Sequence, residues 1–305
     1  MNASPDQRIL NHDSGEWHDH LDNVGPATPI RKLFCRGRDL PDPMRSIAIV
    51  GTRRPTVAGL EMAHEFGKAL AEAGLAIISG LALGIDAAAH RGALDAGGHT
   101  VAVLGCGLDV PYLEKNLPLR RQIGARGTLV SEYPDGTQPN SWHFPARNRI
   151  IVGLADRVLI VEGGMRSGAL ITARIALDAG RTCFAIPGSP RNAVAIGPNE
   201  LIRRNEASLV TSPEHLFEEL ATQTLWTKPY ERGDTISLSD PEKRVLHALD
   251  AVPASPAKVG RATSMPPGET TLNLAKLELR GLARRDRIGC YEITEAGLRV
   301  SLESV

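Results

Sequence analysis

The sequence predicts an α/β protein: a Rossmann-like, doubly wound, mostly parallel sheet followed by a small winged-helix-like domain. Three observations predict it. Between Ser46 and about Leu220, short runs rich in β-branched residues alternate with longer stretches of helical period. Each short run is nearly all apolar, as a strand covered on both faces must be. Beyond residue 238 a helix, a turn, a second helix and two short strands follow in winged-helix order.

Taken in order, the strand candidates are SIAIVG (46–51), LAIISG (75–80), TVAVLG (100–105), TLVSE (128–132), RVLIVE (157–162), TCFAIPG (182–188) and a short ASLV (207–210). Helical stretches such as AGLEMAHEFGKALAEAG and ALITARIALDAG lie between them, each closing on a glycine suited to a helix C-terminus. Ser212-Pro213-Glu214 reads as a cap, opening a last helix PEHLFEELA. QTLWTKPYERGDTISL then carries no helical period and reads as a linker. Asp240-Pro241 opens PEKRVLHALD; a Pro-rich turn, a helix over ETTLNLAKLELRGLARR and strands in RIGCYEIT and GLRVSLE complete the pattern. The expected divisions are 1–44, a polar, extended segment with no complete helical domain of its own; 45–222, the Rossmann-like domain; 223–238, a linker; and 239–305, the winged-helix-like domain.

Composition narrows the function classes. No run approaches the roughly 18 apolar residues of a membrane span, and the N-terminus lacks a signal-peptide pattern, so a cytoplasmic protein with no membrane partner is expected. The four cysteines have no C-x-x-C pair and no histidine cluster beside them; buried or half-buried free thiols are expected, and no metal site. Charge is balanced, 35 basic against 35 acidic residues, so a polyanion would have to meet a local patch rather than a bulk field. The basic set is 28 Arg to 7 Lys, and arginine suits bidentate phosphate contacts and stacking on bases.

Four strands run into glycine at their C-terminal ends, at Gly51, Gly80, Gly105 and Gly163-Gly164. In an open α/β sheet the ligand lies outside those ends, where helix N-termini present unpaired N–H groups and favour an anion. Tight turns alone would also account for any one of these glycines. The first turn, Gly51-Thr52-Arg53-Arg54-Pro55, has no G-x-G-x-x-G, and no G-x-x-x-x-G-K-[ST] appears anywhere, so NAD and ATP lose their support and no cofactor is expected. A second group, Trp142-His143-Phe144-Pro145-Ala146-Arg147-Asn148-Arg149, sets aromatics before two arginines, as a single-strand groove needs. Asp86 and His90, one turn apart in GIDAAAH, read as structural, because no nucleophile or metal set accompanies them; no catalytic residue is assigned.

The strings VGTRRPT, SGLALGIDAAAH, VAVLGCGLD, SEYP, HFPARNRIIVGLAD, VEGGMRSGALITA, AIPG and GPNELIR resemble, in order and spacing, the DprA/Smf family of DNA-processing proteins. The resemblance implies a Rossmann-like domain that dimerises, binds single-stranded DNA at the strand ends and helps load RecA recombinase, in natural transformation or recombination, without being an enzyme. Carried over by motif, the DNA-contacting positions would be Gly51, Thr52, Arg53, Arg54, Gly80, Phe144, Arg147, Asn148, Arg149, Ser167 and Gly168. Two departures stand out. Only 44 residues precede the first expected strand, where relatives often carry a small helical domain, and Asn140 and Ser141 occupy positions where relatives often carry a lysine.

Two other readings use the same fold. A lonely-guy-type phosphoribohydrolase would want a carboxylate about where Thr172 stands, and without it no acid or base serves the reaction. A sensor holding a nucleotide-derived ligand and reporting through the winged helix remains open. The second helix of that module offers Lys276, Arg280, Arg284 and Arg285 among many leucines, compatible with duplex reading or with protein docking.

Overall fold

The apolar runs of the sequence become the strands of one sheet. The computed structural model describes residues 7–24, 29–222, 238–249, 252–286, 289–294, 297–298 and 300–301, in two units, Met1–Thr211 and Ser212–Val305. The first unit holds β1 (Gln7–Leu10), β2 (Leu33–Gly37), β3 (Ser46–Val50), β4 (Ala76–Ser79), β5 (Thr100–Leu104), β6 (Thr128–Ser131), β7 (Arg157–Ile160), β8 (Thr182–Ala185) and β9 (Ser208–Leu209). Between them run α1 (Val57–Glu72), α2 (Ile85–Asp95), α3 (Leu117–Arg126), α4 (His143–Gly153), α5 (Gly168–Asp178) and α6 (Ile196–Arg203). All seven strands read from the sequence are present.

The sheet order is β1-β2-β6-β5-β4-β3-β7-β8-β9, and every pair from β6 to β9 is parallel. Both faces are covered. Along β5, Val101 and Val103 join a core that includes Ile150 of α4 and Ala173 of α5, whereas Ala102 and Leu104 join Leu94 of α2 and Ile123 of α3. Period-two alternation thus explains why the strands are apolar throughout. The chain lays β3 to β6 outward in one direction and then returns to place β7 beside β3. That reversal opens a crevice beyond the C-terminal ends of β3 and β7.

Residues ahead of Ser46 do more than the sequence reading expected. β2 pairs antiparallel with β6, Phe34 opposite Ser131, and β1 extends the same edge. The apolar triplet Leu33-Phe34-Cys35 is buried, and so are Leu21, Val24 and Ile30. The cysteines are free: Cys35, Cys106 and Cys183 are buried and Cys290 is half-buried, with burial pushing the Cys35 and Cys183 thiols up to about 12.

The second unit begins at Ser212, ahead of the boundary expected at residue 222, because α7 (Pro213–Thr222) packs against a later helix, α10 (Pro267–Leu279). Within it, α8 (Asp240–His247) is capped by Ser239, with Glu242 reaching back to the Ser239 N–H at 2.8 Å. The expected Pro-rich turn contains a further helix, α9 (Pro256–Thr263), capped by Ser255 with proline at its first position. α10 stops at Leu279, and Gly281 at φ 71° turns the chain into β10 (Ala283–Arg285), antiparallel to β11 (Tyr291–Ile293). Arg284 and Arg285 therefore lie on a strand rather than on the second helix, and residues 297–298 and 300–301 of the strand expected in GLRVSLE are helical. Residues 223–237, most of the expected linker, lie outside the described residues.

Candidate functional site

A cavity of about 740 Å³ opens at the switch point, walled by the turn after β3, the loop after β5, the approach to α4 and the first turn of α5. The turn after β3 is pinned at both ends by Glu162, which follows β7. Thr52 N–H donates to the Glu162 carbonyl at 2.7 Å, and Thr56 N–H and hydroxyl donate to its carboxylate at 2.9 and 2.6 Å. The same Thr56 hydroxyl caps α1 by accepting from Gly59 N–H at 2.9 Å. Gly51 is required by packing, since a Cβ there would stand 2.4 Å from Ile85. Held in this way, the turn presents Arg53 and Arg54 to solvent, with the Arg53 guanidinium 5.4 Å from the centre of the Phe144 ring.

The floor is a buried ion pair. Arg147, only 5% exposed, donates to the Gly80 carbonyl at 2.6 Å, to the Val103 carbonyl and to Asn148 Oδ1 at 3.1 Å, with Asp86 at 4.0 Å. Asp86 in turn accepts from the Gly80 and Ala82 N–H groups at 3.2 and 3.4 Å. Burial raises the Asp86 pKa and lowers that of Arg147, each shift opposed by the other's charge. Gly80 leaves room for this arrangement, since a Cβ there would stand 2.0 Å from the guanidinium.

The remaining wall is aromatic and helical. Tyr112 stacks on Phe144 with ring centres 5.1 Å apart and planes at 28°. Asn140 and Ser141 line the mouth. Trp142, 60% exposed, stands edge-on to Tyr133 and His143. Opposite, Ser167 caps α5, so that Ser167, Gly168 and Ala169 bring that helix's N-terminus to the cavity.

Of the eleven expected contact positions, Gly51, Thr52, Arg53, Arg54, Phe144, Arg147, Asn148, Ser167 and Gly168 line this one cavity. Gly80 lines a smaller adjoining space with Arg147 and Phe144. Arg149 does not join them: it is buried, and its Nη2 donates to both Glu132 carboxylate oxygens, at 2.7 and 2.9 Å. Its place two residues past Arg147, a rotation of about 200° around the helix axis, turns it to another side of α4. Tyr112 and Asp86 are cavity residues that the expected set omits. Nothing local marks Tyr112, because only the fold brings the loop after β5 against α4.

Asp86 is the one carboxylate among the described residues lining the cavity, and it is engaged by Arg147 and two backbone N–H groups. Thr172 lies in the lining, 2% exposed, its hydroxyl donating to the Gly168 carbonyl at 3.2 Å. His90 is buried against Thr100, its Nδ1 2.7 Å from Oγ1, and burial lowers its pKa to about 3. Among the described residues no group of three metal-ligating side chains comes together, and no helix is long and apolar enough to cross a membrane. In the second unit, Arg280 pairs with buried Glu242 at 3.4 Å and Arg284 pairs with Glu292, so these two of the cations expected there are held by carboxylates.

Comparison with known proteins agrees with the fold. The family model described as DNA recombination-mediator protein A matches residues 8–221, and that of the DprA winged helix domain matches 231–286. The chain is 41% identical over 204 residues to the DNA processing protein DprA of Bacillus subtilis, covering 66% of this chain and 68% of that one. It is 36% identical over 271 residues to protein Smf of Synechocystis, covering 79% and 68%. It thus spans about two thirds of the length of these relatives. The solved structure of DNA processing protein A from Streptococcus pneumoniae superposes with a TM-score of 0.65 at 39% identity, over 70% of this chain and 75% of that one. The Helicobacter pylori protein, solved in a study of its single-stranded DNA binding mode, gives 0.63 at 29% identity, over 71% and 96%.

Proposed function

The chain belongs to the DNA recombination-mediator protein A family, and on that premise we propose that it binds single-stranded DNA in the cavity between β3 and β7, protects the strand and helps load RecA recombinase onto it. One observation carries the reading. Two exposed arginines, an aromatic wall and the N-terminus of α5 converge on a single cavity, so phosphates and bases both find partners within it. Phosphates rest against Arg53, Arg54 and the Ser167-Gly168 turn, while bases meet the aromatic wall, a mode that does not read sequence. The Helicobacter pylori relative's single-strand binding supports the ligand class.

Dimerisation would present two cavities to one strand and raise its residence by multivalency. The reading is of a binding protein acting in the cytoplasm. The phosphoribohydrolase alternative finds Thr172 where it needs a carboxylate and finds Asp86 already paired, which favours binding over glycosidic chemistry.

The test is fluorescence anisotropy with labelled oligothymidine and a matched duplex across a salt series. Tight, salt-dependent binding of the single strand, weakened by Arg53→Ala, is the expected result. Equal binding by the variant would remove the strand from this cavity, and a nucleotide-derived ligand would then be the next candidate.

A further inference from the structure

The ring that the family motif offers to a base, Phe144, is already occupied: Tyr112 is stacked on it and the Arg53 guanidinium lies over it. Tyr112 is in a different position. Among the described residues Phe144 is the one ring stacked on it, and it lines the cavity while packing against the apolar cluster that includes Leu104 and Leu108. Its loop is held from both sides. Buried Arg120 donates to the carbonyls of Leu108 and Val110, and Asn116 Nδ2 donates to the Leu81 carbonyl at 2.9 Å. The next residue, Leu113, sits at φ 59°, a left-handed conformation unfavourable for leucine that the surrounding contacts must enforce. Backbone kept in such a region is concentrated where a side chain has to be aimed at a ligand.

We propose that Tyr112 is the nucleobase platform of the cavity, with Phe144 as its backing and the strained loop as the device that fixes its angle. This rests on the single-strand reading above. A base entering the cavity lies on the Tyr112 ring while its flanking phosphates reach Arg53 and the start of α5. Pre-fixing the ring lowers the ordering cost of binding, so a single stack contributes more than it would on a mobile side chain.

The experiment pairs an oligothymidine with an abasic oligomer of equal length, which keeps the phosphates and lacks every base. Tyr112→Ala should weaken oligothymidine on the order of 10-fold and leave the abasic oligomer unchanged, and Tyr112→Phe should restore the difference. Photocrosslinking wild-type protein to a 5-iodouracil oligomer should attach the base to Tyr112, a readout independent of whether the alanine variant folds. Equal loss with both oligomers, or attachment to Phe144 with Tyr112 unmodified, would overturn the assignment. Should wild-type protein bind neither oligomer, the single-strand reading itself fails and takes the platform with it.

Discussion

The turn after β3 and the start of α4 each bring two arginines to the C-terminal end of the sheet, yet one pair stands in solvent and the other is buried. Arg53 and Arg54 are exposed on a turn whose backbone is fixed by Glu162. Arg147 and Arg149 are each 5% exposed, the first on two carbonyls beside Asp86, the second on Glu132. A guanidinium in solvent can exchange water and counterions for a phosphate at little cost. One that already satisfies buried carbonyls and a carboxylate shapes the cavity, and drawing it toward a ligand would orphan those groups. Exposure therefore separates the arginines available to a phosphate from those that hold the site.

The largest effect should come from attacking the buried side of this division. Arg147→Ala leaves Asp86 without its cation and two strand-end carbonyls without their donor; loss of one partner of a buried pair costs roughly 3–5 kcal/mol. Chemical denaturation should show a loss of that order in the first unit. A variant as stable as wild type would break the comparison, because Arg147 would then be free to serve a ligand.

Gly80→Ala approaches the same group from the backbone. Its methyl would meet the Arg147 guanidinium at 2.0 Å, so the ion pair must shift, at an expected cost of about 1–3 kcal/mol by the general penalty for overpacking. The denaturation midpoint should fall, and an unchanged midpoint would show that the arginine has room to move.

How far these distinctions were legible in the sequence depends on what kind of contact made them. Strands β3 to β8 could be read because burial on both faces leaves near-continuous apolar runs. β1 and β2 could not, since an antiparallel edge carries residues such as Gln7, Arg8 and Arg36 within its strands. Ser255-Pro256 is a helix-start signal that could have found α9, and β10 was hidden by a helical pattern that continues past Gly281. At the site, the glycine turns and their cavity were readable, because local backbone chemistry fixes them. The burial of Arg147 and Arg149 and the placement of Tyr112 were not, because each depends on a partner brought by another strand or loop.

Next in size is the exposed side. Arg53→Ala should lower affinity for oligothymidine about 10-fold and flatten the salt dependence by roughly 0.7 in log–log slope, the share of one single-strand phosphate. Stability should move by no more than about 0.5 kcal/mol, as for surface substitutions generally. Arg53 and Arg147 would then dissociate: one variant binds poorly and folds well, the other folds poorly. Parallel losses in both measurements for Arg53→Ala would erase the distinction.

The smallest effect sharpens it most, because Arg149 belongs to the same motif as Arg147 and faces away from the cavity. Arg149→Lys keeps the charge and one donor for Glu132 but loses the planar guanidinium that serves Glu132 through Nη2 and the Ala146 carbonyl through Nη1 at once, which should cost about 0.5–1 kcal/mol of stability. Oligothymidine affinity and its salt slope should stay within twofold of wild type. A flattened slope would mean that a phosphate reaches Arg149 and that burial does not sort these arginines. An unchanged slope with the small stability loss would place its effect in the packing of α4, where the Glu132 pair anchors that helix to the end of β6.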